Sequence, residues 1–313
     1  MSLHTLRRIV LGVPDVDQVA AFYTEFGLRP LGQGRFATLD GGEQLRLVQR
    51  PTRRLVAVTI GADDEDDLGR VLRNLAAEGF ASRREPEAVV SVEPVTGVEV
   101  RVEIAAPLSQ TEAPALYQPN APGHVVRANA RSAALDRAGR VYPRKLGHVV
   151  VGSTDLATSM RFFTQGIGFK VSDRVKDRGS FLRCSTDHHN LLVQNTPANF
   201  VHHSSWQVED VDEIGRGAAA MLEADPARHV WGLGRHHIGS NFFWYLRDPS
   251  GTFAEYYSDL DVILDDQLWK PEVFDGKYAL YNWGPPPPPS FIRPDDLAEL
   301  MTGSHQPRHG GHR

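Results

Sequence analysis

One glutamate interrupts an aromatic strand. In "GLGRHHIGSNFFWYLRDPSGTFAEYYSDL", residues 232–260, Glu255 shares a face with Phe253 and Tyr257 by the two-residue alternation of a strand. A carboxylate among aromatic rings is costly unless it is paired or binds a metal. Candidate partners lie upstream, in "KLGHVVVGS" (His148) and "FVHHSSWQVED" (His202 and His203). Neighbours on a strand point to opposite faces, so the alternation lets only one of His202 and His203 face inward. Taken alone, His148 reads as an ordinary buried histidine. Taken together, His148, His203 and Glu255 supply two imidazoles and one carboxylate, 55 and 52 residues apart. That is the ligand set of a facial triad, which leaves open positions on an octahedral Fe(II).

The elements that must position these residues are written twice. "LRRIVLGVPDVDQVAAFYTEFGLRPL" from Leu6 matches "LGHVVVGSTDLATSMRFFTQGIGFKV" from Leu146: an apolar strand, a helix with an aromatic pair, and a glycine stop. Asp15, Thr154 and Asp155 are natural N-cap residues, and Gly27 and Gly168 end the helices. The second half of each copy also matches. "LVAVTIGADDEDDLGRVLRNLAAEGF" parallels "HHSSWQVEDVDEIGRGAAAMLEADP", and "EPVTGVEVRVEI" parallels "RDPSGTFAEYYS". Each copy therefore reads as two strand–helix–strands modules, four in all, at residues 4–50, 53–106, 145–195 and 200–258. Counting from shared glycines and acidic turns, Arg8 stands where His148 does, Ala57 where His203 does, and Arg101 where Glu255 does. All three candidate ligands fall in one copy, and the other copy has none of them.

The expected division is an N-terminal non-catalytic module pair over 1–115, a linker over 116–144 and a catalytic pair over 145–262. A flap rich in proline and aromatics follows over 263–303, and a disordered tail over 304–313, whose histidines are set aside as ligands. A proline-rich ligand for another protein is the alternative reading of the flap. At 313 residues, with 41% hydrophobic and 23% charged residues, the chain has the composition of a globular protein. A formal net charge of −5 gives no reason to expect a nucleic-acid or membrane-surface partner. The single cysteine, Cys184, excludes an internal disulfide framework and suits a reducing cytoplasm. No apolar run is long enough for a membrane span, and the N-terminus has no signal-peptide pattern.

The segments "LGHVVVGSTDL", "HHN" at 188–190, "VHHSSWQVED" and "GRHHIGSNFFWYLRDPSGTFAEYY" resemble the type I extradiol ring-cleaving dioxygenases of the vicinal oxygen chelate superfamily. "LYNWGPPPPPSF" resembles the C-terminal tails of their homoprotocatechuate 2,3-dioxygenase branch. The resemblance implies an α+β fold of four βαβββ modules, paired into two domains, each a cupped mixed sheet with helices outside. It implies Fe(II), with Mn(II) also suited, held by His148, His203 and Glu255. It implies O2 as co-substrate, a small catecholic substrate and a homo-oligomer, dimer or tetramer. The family's catalytic groups carry over to His189, His236 and Tyr245. Register is open by one residue at 188/189 and at 236/237, and Tyr245 can also be read as plain core. His189 would donate a proton beside the O2 site, while His236 and Tyr245 would orient and help deprotonate the catechol. Two other readings remain: a glyoxalase-like isomerase of the same superfamily, and a metal-free resistance protein that sequesters a small molecule.

Overall fold

Alternating apolar residues and four acidic caps lay down the same unit four times. The computed structural model of the chain describes residues 3–112 and 118–303; the tail expected to be disordered, 304–313, lies outside the described residues. The first unit is β1 (Leu3–Val13), α1 (Val16–Glu25), β2 (Arg29–Gly32), β3 (Arg35–Thr38) and β4 (Gly42–Gln49). The second is β5 (Arg54–Ala62), α2 (Glu65–Ala77), β6 (Ser82–Glu85), β7 (Ala88–Val92) and β8 (Glu99–Ile104). The third is β9 (Lys145–Ser153), α3 (Leu156–Arg161), β10 (Lys170–Val175), β11 (Gly179–Arg183) and β12 (Leu191–Asn195). The fourth is β13 (Phe200–Gln207), α4 (Val211–Ala224), β14 (His229–Arg235), β15 (Phe242–Arg247) and β16 (Phe253–Ser258). The carboxylates of Asp15, Asp64, Asp155 and Asp210 each accept a backbone N–H in the first turn of α1, α2, α3 and α4. Gly27 and Gly168 adopt φ of 103° and 101°, the left-handed conformation that turns the chain from helix into strand.

Each pair of units makes one mixed sheet, ordered β2-β3-β4-β1-β5-β8-β7-β6 and, in the second, β14-β15-β16-β13-β9-β12-β11-β10. The central pairs, β1 with β5 and β9 with β13, are antiparallel. On their flanks β4 runs parallel to β1, β8 to β5, β12 to β9 and β16 to β13. One hydrophobic core joins the two sheets. Helix α1 lies on the outer face of the second sheet: Phe26 stacks on Tyr256 at 3.9 Å, and the Tyr256 hydroxyl donates to the Phe26 carbonyl at 2.6 Å. Alternation along β13 and β16 explains the division of labour. Ser204, Trp206 and Tyr256 face α1, leaving His203, Ser205 and Glu255 for the cupped inner face.

The chain after β16 folds back over that cup. Strand β17 (Val273–Phe274) extends the second sheet beside β10, and two short helices, α5 (Pro289–Ile292) and α6 (Leu297–Thr302), follow. Phe291 is buried among Val230, Trp231, Phe243, Tyr245 and Phe253, and the Trp231 indole N–H donates to the Pro285 carbonyl. The buried Arg53 of the first copy grips Asp296 through two hydrogen bonds of 2.7 and 2.9 Å. Among the described residues, no helix is long and apolar enough to cross a membrane.

Candidate metal centre

Three neighbouring strands bring the expected ligands together. Ser205 in the middle of β13 lies opposite His148 on β9 and Glu255 on β16, and His203 is two residues away on the same face. The Glu255 carboxylate oxygen Oε2 lies 3.1 Å from Nε2 of His148 and 3.6 Å from Nε2 of His203, and the two Nε2 atoms are 3.3 Å apart. All three side chains are buried, Glu255 completely. Its Oε1 accepts from the Asn241 amide at 3.3 Å, but Oε2 has no hydrogen-bond partner. A buried anionic oxygen without a donor, aimed at two imidazole nitrogens, is what a bound divalent cation would satisfy. Burial pushes the Glu255 carboxyl up, but the neighbouring imidazoles of His148 and His236 outweigh it and hold the group below its ordinary value. Burial, with the adjacent imidazoles, drives His203 well below its usual range, so its ring is neutral, as a ligand must be.

The expectation that His202 and His203 point to opposite faces is wrong. Their Nδ1 atoms are 2.7 Å apart and both rings line the same cavity. The cause is a β-bulge: the pairing with β9 steps from Val201 to His203, and the extra residue, His202, breaks the alternation. Its Nε2 donates to the Phe291 carbonyl at 2.7 Å, and burial lowers its pKa to about 4.

The other predicted residues surround the triad. His189 packs against His148 with ring centroids 4.2 Å apart, and burial drives its pKa well down. His188 points away, its Nε2 2.8 Å from Asp173 and its Nδ1 3.0 Å from Nδ1 of His189. Strand β12 begins at Leu191, two residues later than the run from His189 suggests, and the N–H of His188 before it donates to the carbonyl of Asp261. His236 donates from Nδ1 to the Leu280 carbonyl at 2.5 Å, and its Nε2, 2.9 Å from the Tyr245 hydroxyl, accepts from it. Burial lowers His236 and raises Tyr245, where Glu255 adds to the effect. His237 is exposed and packs on Phe274 and Tyr278. Asp173 was not among the expected groups, nor were the flap carbonyls of Phe291 and Leu280, for which no residue type gives a signal. The sequence reading assigned nothing to His202, although the doubled histidine was visible.

Around these groups lies a cavity of about 800 Å³, closed on one side by Gly276, Ala279, Leu280 and Tyr281 of the flap. A catechol ring fills only a fraction of such a space, which is of the size usual for small-molecule sites.

Comparison with known proteins agrees with the geometry. The family model described as the glyoxalase/bleomycin resistance protein/dioxygenase superfamily matches residues 5–92 and 145–256. Metapyrocatechase 2 of Cupriavidus necator is 31% identical over 301 residues, spanning 93% of this chain and 92% of the relative. An iron-dependent extradiol dioxygenase of Rhodococcus jostii is 29% identical over 155 residues, 44% of this chain and 50% of the relative. Among solved structures, the Mn(II)-bound glyoxalase from Novosphingobium aromaticivorans superposes with a TM-score of 0.72 at 25% identity, over 92% of this chain and 93% of that one. The chain belongs to the glyoxalase/bleomycin resistance protein/dioxygenase superfamily.

Proposed function

We propose that His148, His203 and Glu255 hold one divalent cation, Fe(II) or Mn(II), and that His189, His236 and Tyr245 handle the substrate and its protons. The reaction is extradiol cleavage of a small catecholic substrate with O2, which opens the ring beside its vicinal hydroxyls. The observation that carries this reading is the buried Glu255 oxygen, unpartnered and aimed at two imidazoles on neighbouring strands. When bound, the cation would supply Lewis acidity and open positions at which catecholate and O2 can meet.

The chain's own groups do the rest. His236, neutral and with Nδ1–H committed to Leu280, offers Nε2 as the base for a catechol proton. Tyr245 stays a phenol and offers its hydroxyl to a substrate oxygen. His189, against His148 on the other side of the triad, holds and returns a proton at its ring nitrogen as oxygen is inserted. The flap covers one side of this space. In this reading residues 1–115 are the non-catalytic pair, 116–144 a linker, 145–262 the catalytic pair and 263–303 the flap. The protein works in the cytoplasm as a homo-oligomer, dimer or tetramer, which light scattering checks directly; exposed Leu264, Leu268 and Val273 offer apolar surface for such an interface.

The test is anaerobic loading with Fe(II) or Mn(II), followed by O2 uptake against a panel of catechols. A yellow ring-opened product with matching O2 consumption is expected. Isomerisation of a hemithioacetal without O2, with no uptake on any catechol by the metal-loaded protein, would instead make it a glyoxalase-like enzyme.

A further inference from the structure

To bind a cation, His203 must present a lone pair at Nε2. What its other nitrogen does decides whether it can. Nδ1 of His203 lies 2.7 Å from Nδ1 of His202, and Nε2 of His202 lies 2.7 Å from the Phe291 carbonyl oxygen. A carbonyl only accepts, so the hydrogen of His202 is on Nε2. A neutral imidazole carries one N–H, so Nδ1 of His202 is an acceptor. Nδ1 of His203 must then be the donor, and its Nε2 is left bare, facing Glu255 and His148. We infer that His202 is a positioning residue, which relays the Phe291 carbonyl of the flap into the tautomer and ring angle of His203. This rests on the reading of His203 as a ligand.

The ring of His202 is well placed for the task. It is buried edge-on to Phe253 at 5.2 Å and to Phe291 at 4.8 Å, so packing fixes its plane. The bulge at His202 is what turns it to the same side as His203. The flap repeats the device: the Leu280 carbonyl takes the Nδ1 hydrogen of His236 and leaves Nε2 as the acceptor beside Tyr245. Main-chain oxygens of one segment thus set two rings of the centre. Partners of this kind, one layer behind the ligands, tune ligand basicity and metal affinity.

The experiment compares Mn(II) binding to the metal-free parent, His202→Leu and His202→Gln, by electron paramagnetic resonance against a competing chelator. Leucine fills space but cannot accept. Glutamine can donate its amide N–H to Phe291 and accept from His203. The leucine variant is expected to bind Mn(II) about 10–100-fold more weakly, and the glutamine variant within about threefold of the parent. Parent-like affinity in the leucine variant, or equal weakness in both, overturns the inference. Should the leucine variant fail to fold, nitrogen-15 NMR of labelled histidines in the metal-free parent decides. His203 must be the Nδ1–H tautomer and His202 the Nε2–H tautomer, and the reverse overturns it. A His203→Ala control that still binds Mn(II) like the parent would sink the ligand reading instead.

Discussion

The two copies of the fold place three side chains at the same points of the same ladder and fill them with opposite chemistry. In the first copy Thr59 lies between Arg8 and Arg101; in the second Ser205 lies between His148 and Glu255. The bulges repeat as well. The pairing of β1 with β5 skips Val56, where that of β9 with β13 skips His202. Yet the first copy pairs its cations with its own carboxylates. Arg101 reaches Glu85 at 2.5 Å and Glu103 at 2.9 Å, and Arg8 lies 3.6 Å from Glu43, all partly open to water. The second copy gathers two buried imidazoles and one fully buried carboxylate, and leaves one carboxylate oxygen without a donor. The backbone dictates that three groups meet. Whether anything must be added from outside depends on which groups they are.

The sharpest way to break this comparison is to make the second copy as self-sufficient as the first. Glu255→Gln keeps the size and removes the charge. It is expected to lose most bound metal and about a thousandfold or more in turnover, read by metal analysis and O2 uptake. A variant that kept both would show that the carboxylate is structural. Next in size comes His189→Asn, which leaves the triad intact. Metal content should match the parent while kcat falls by about 10²–10⁴. Equal kcat would return His189 to the core of the protein.

Much of this is legible in the sequence. The repeat, the caps Asp15 and Asp155 and the segregation of ligands into one copy all follow from residue type and spacing, and the first sheet places Arg8, Ala57 and Arg101 at the ladder positions that His148, His203 and Glu255 hold in the second. Alternation failed where the strand bulges, because a two-residue period cannot announce its own interruption; His202 was therefore put on the wrong face. The carbonyls of Leu280 and Phe291 were invisible for another reason. A carbonyl is present at every residue, and only the path of the flap brings these two to the histidines.

A third contrast lies in the turns that feed β8 and β16. Glu93 accepts from the N–H groups of Val95 and Thr96 in one copy, and Asp248 accepts from those of Ser250 and Thr252 in the other. Burial pushes Asp248 up from 3.8 to about 6, and its Oδ2 has no partner. A carboxyl raised on folding contributes stability that is full below pH 3.8 and lost as pH rises through about 6. The loss amounts to about 3 kcal/mol by pH 7. Asp248→Asn keeps one acceptor and cannot ionise. The stability of the variant relative to the parent, from urea unfolding, should rise between pH 4 and 6 and stay flat above. A difference independent of pH would show that the folded Asp248 titrates normally.

The smallest effect tests the silent copy. Arg8→Ala and Arg101→Ala remove the residues that stand where His148 and Glu255 do. Their ion pairs are partly exposed, and Glu43 and Glu103 keep other partners in Arg46 and Arg7. Pairs of this kind contribute little, because water screens the attraction and two long side chains lose freedom to make it. Each variant should therefore stay within about 0.5 kcal/mol of the parent by chemical unfolding and within about twofold in turnover. A tenfold loss of turnover with unchanged stability would mean that the first copy reaches the centre across the shared core. Contacts between the copies, such as that of Phe26 with Tyr256 next to Glu255 on β16 and that of Gln44 with Leu146 near His148 on β9, offer the route for such a coupling.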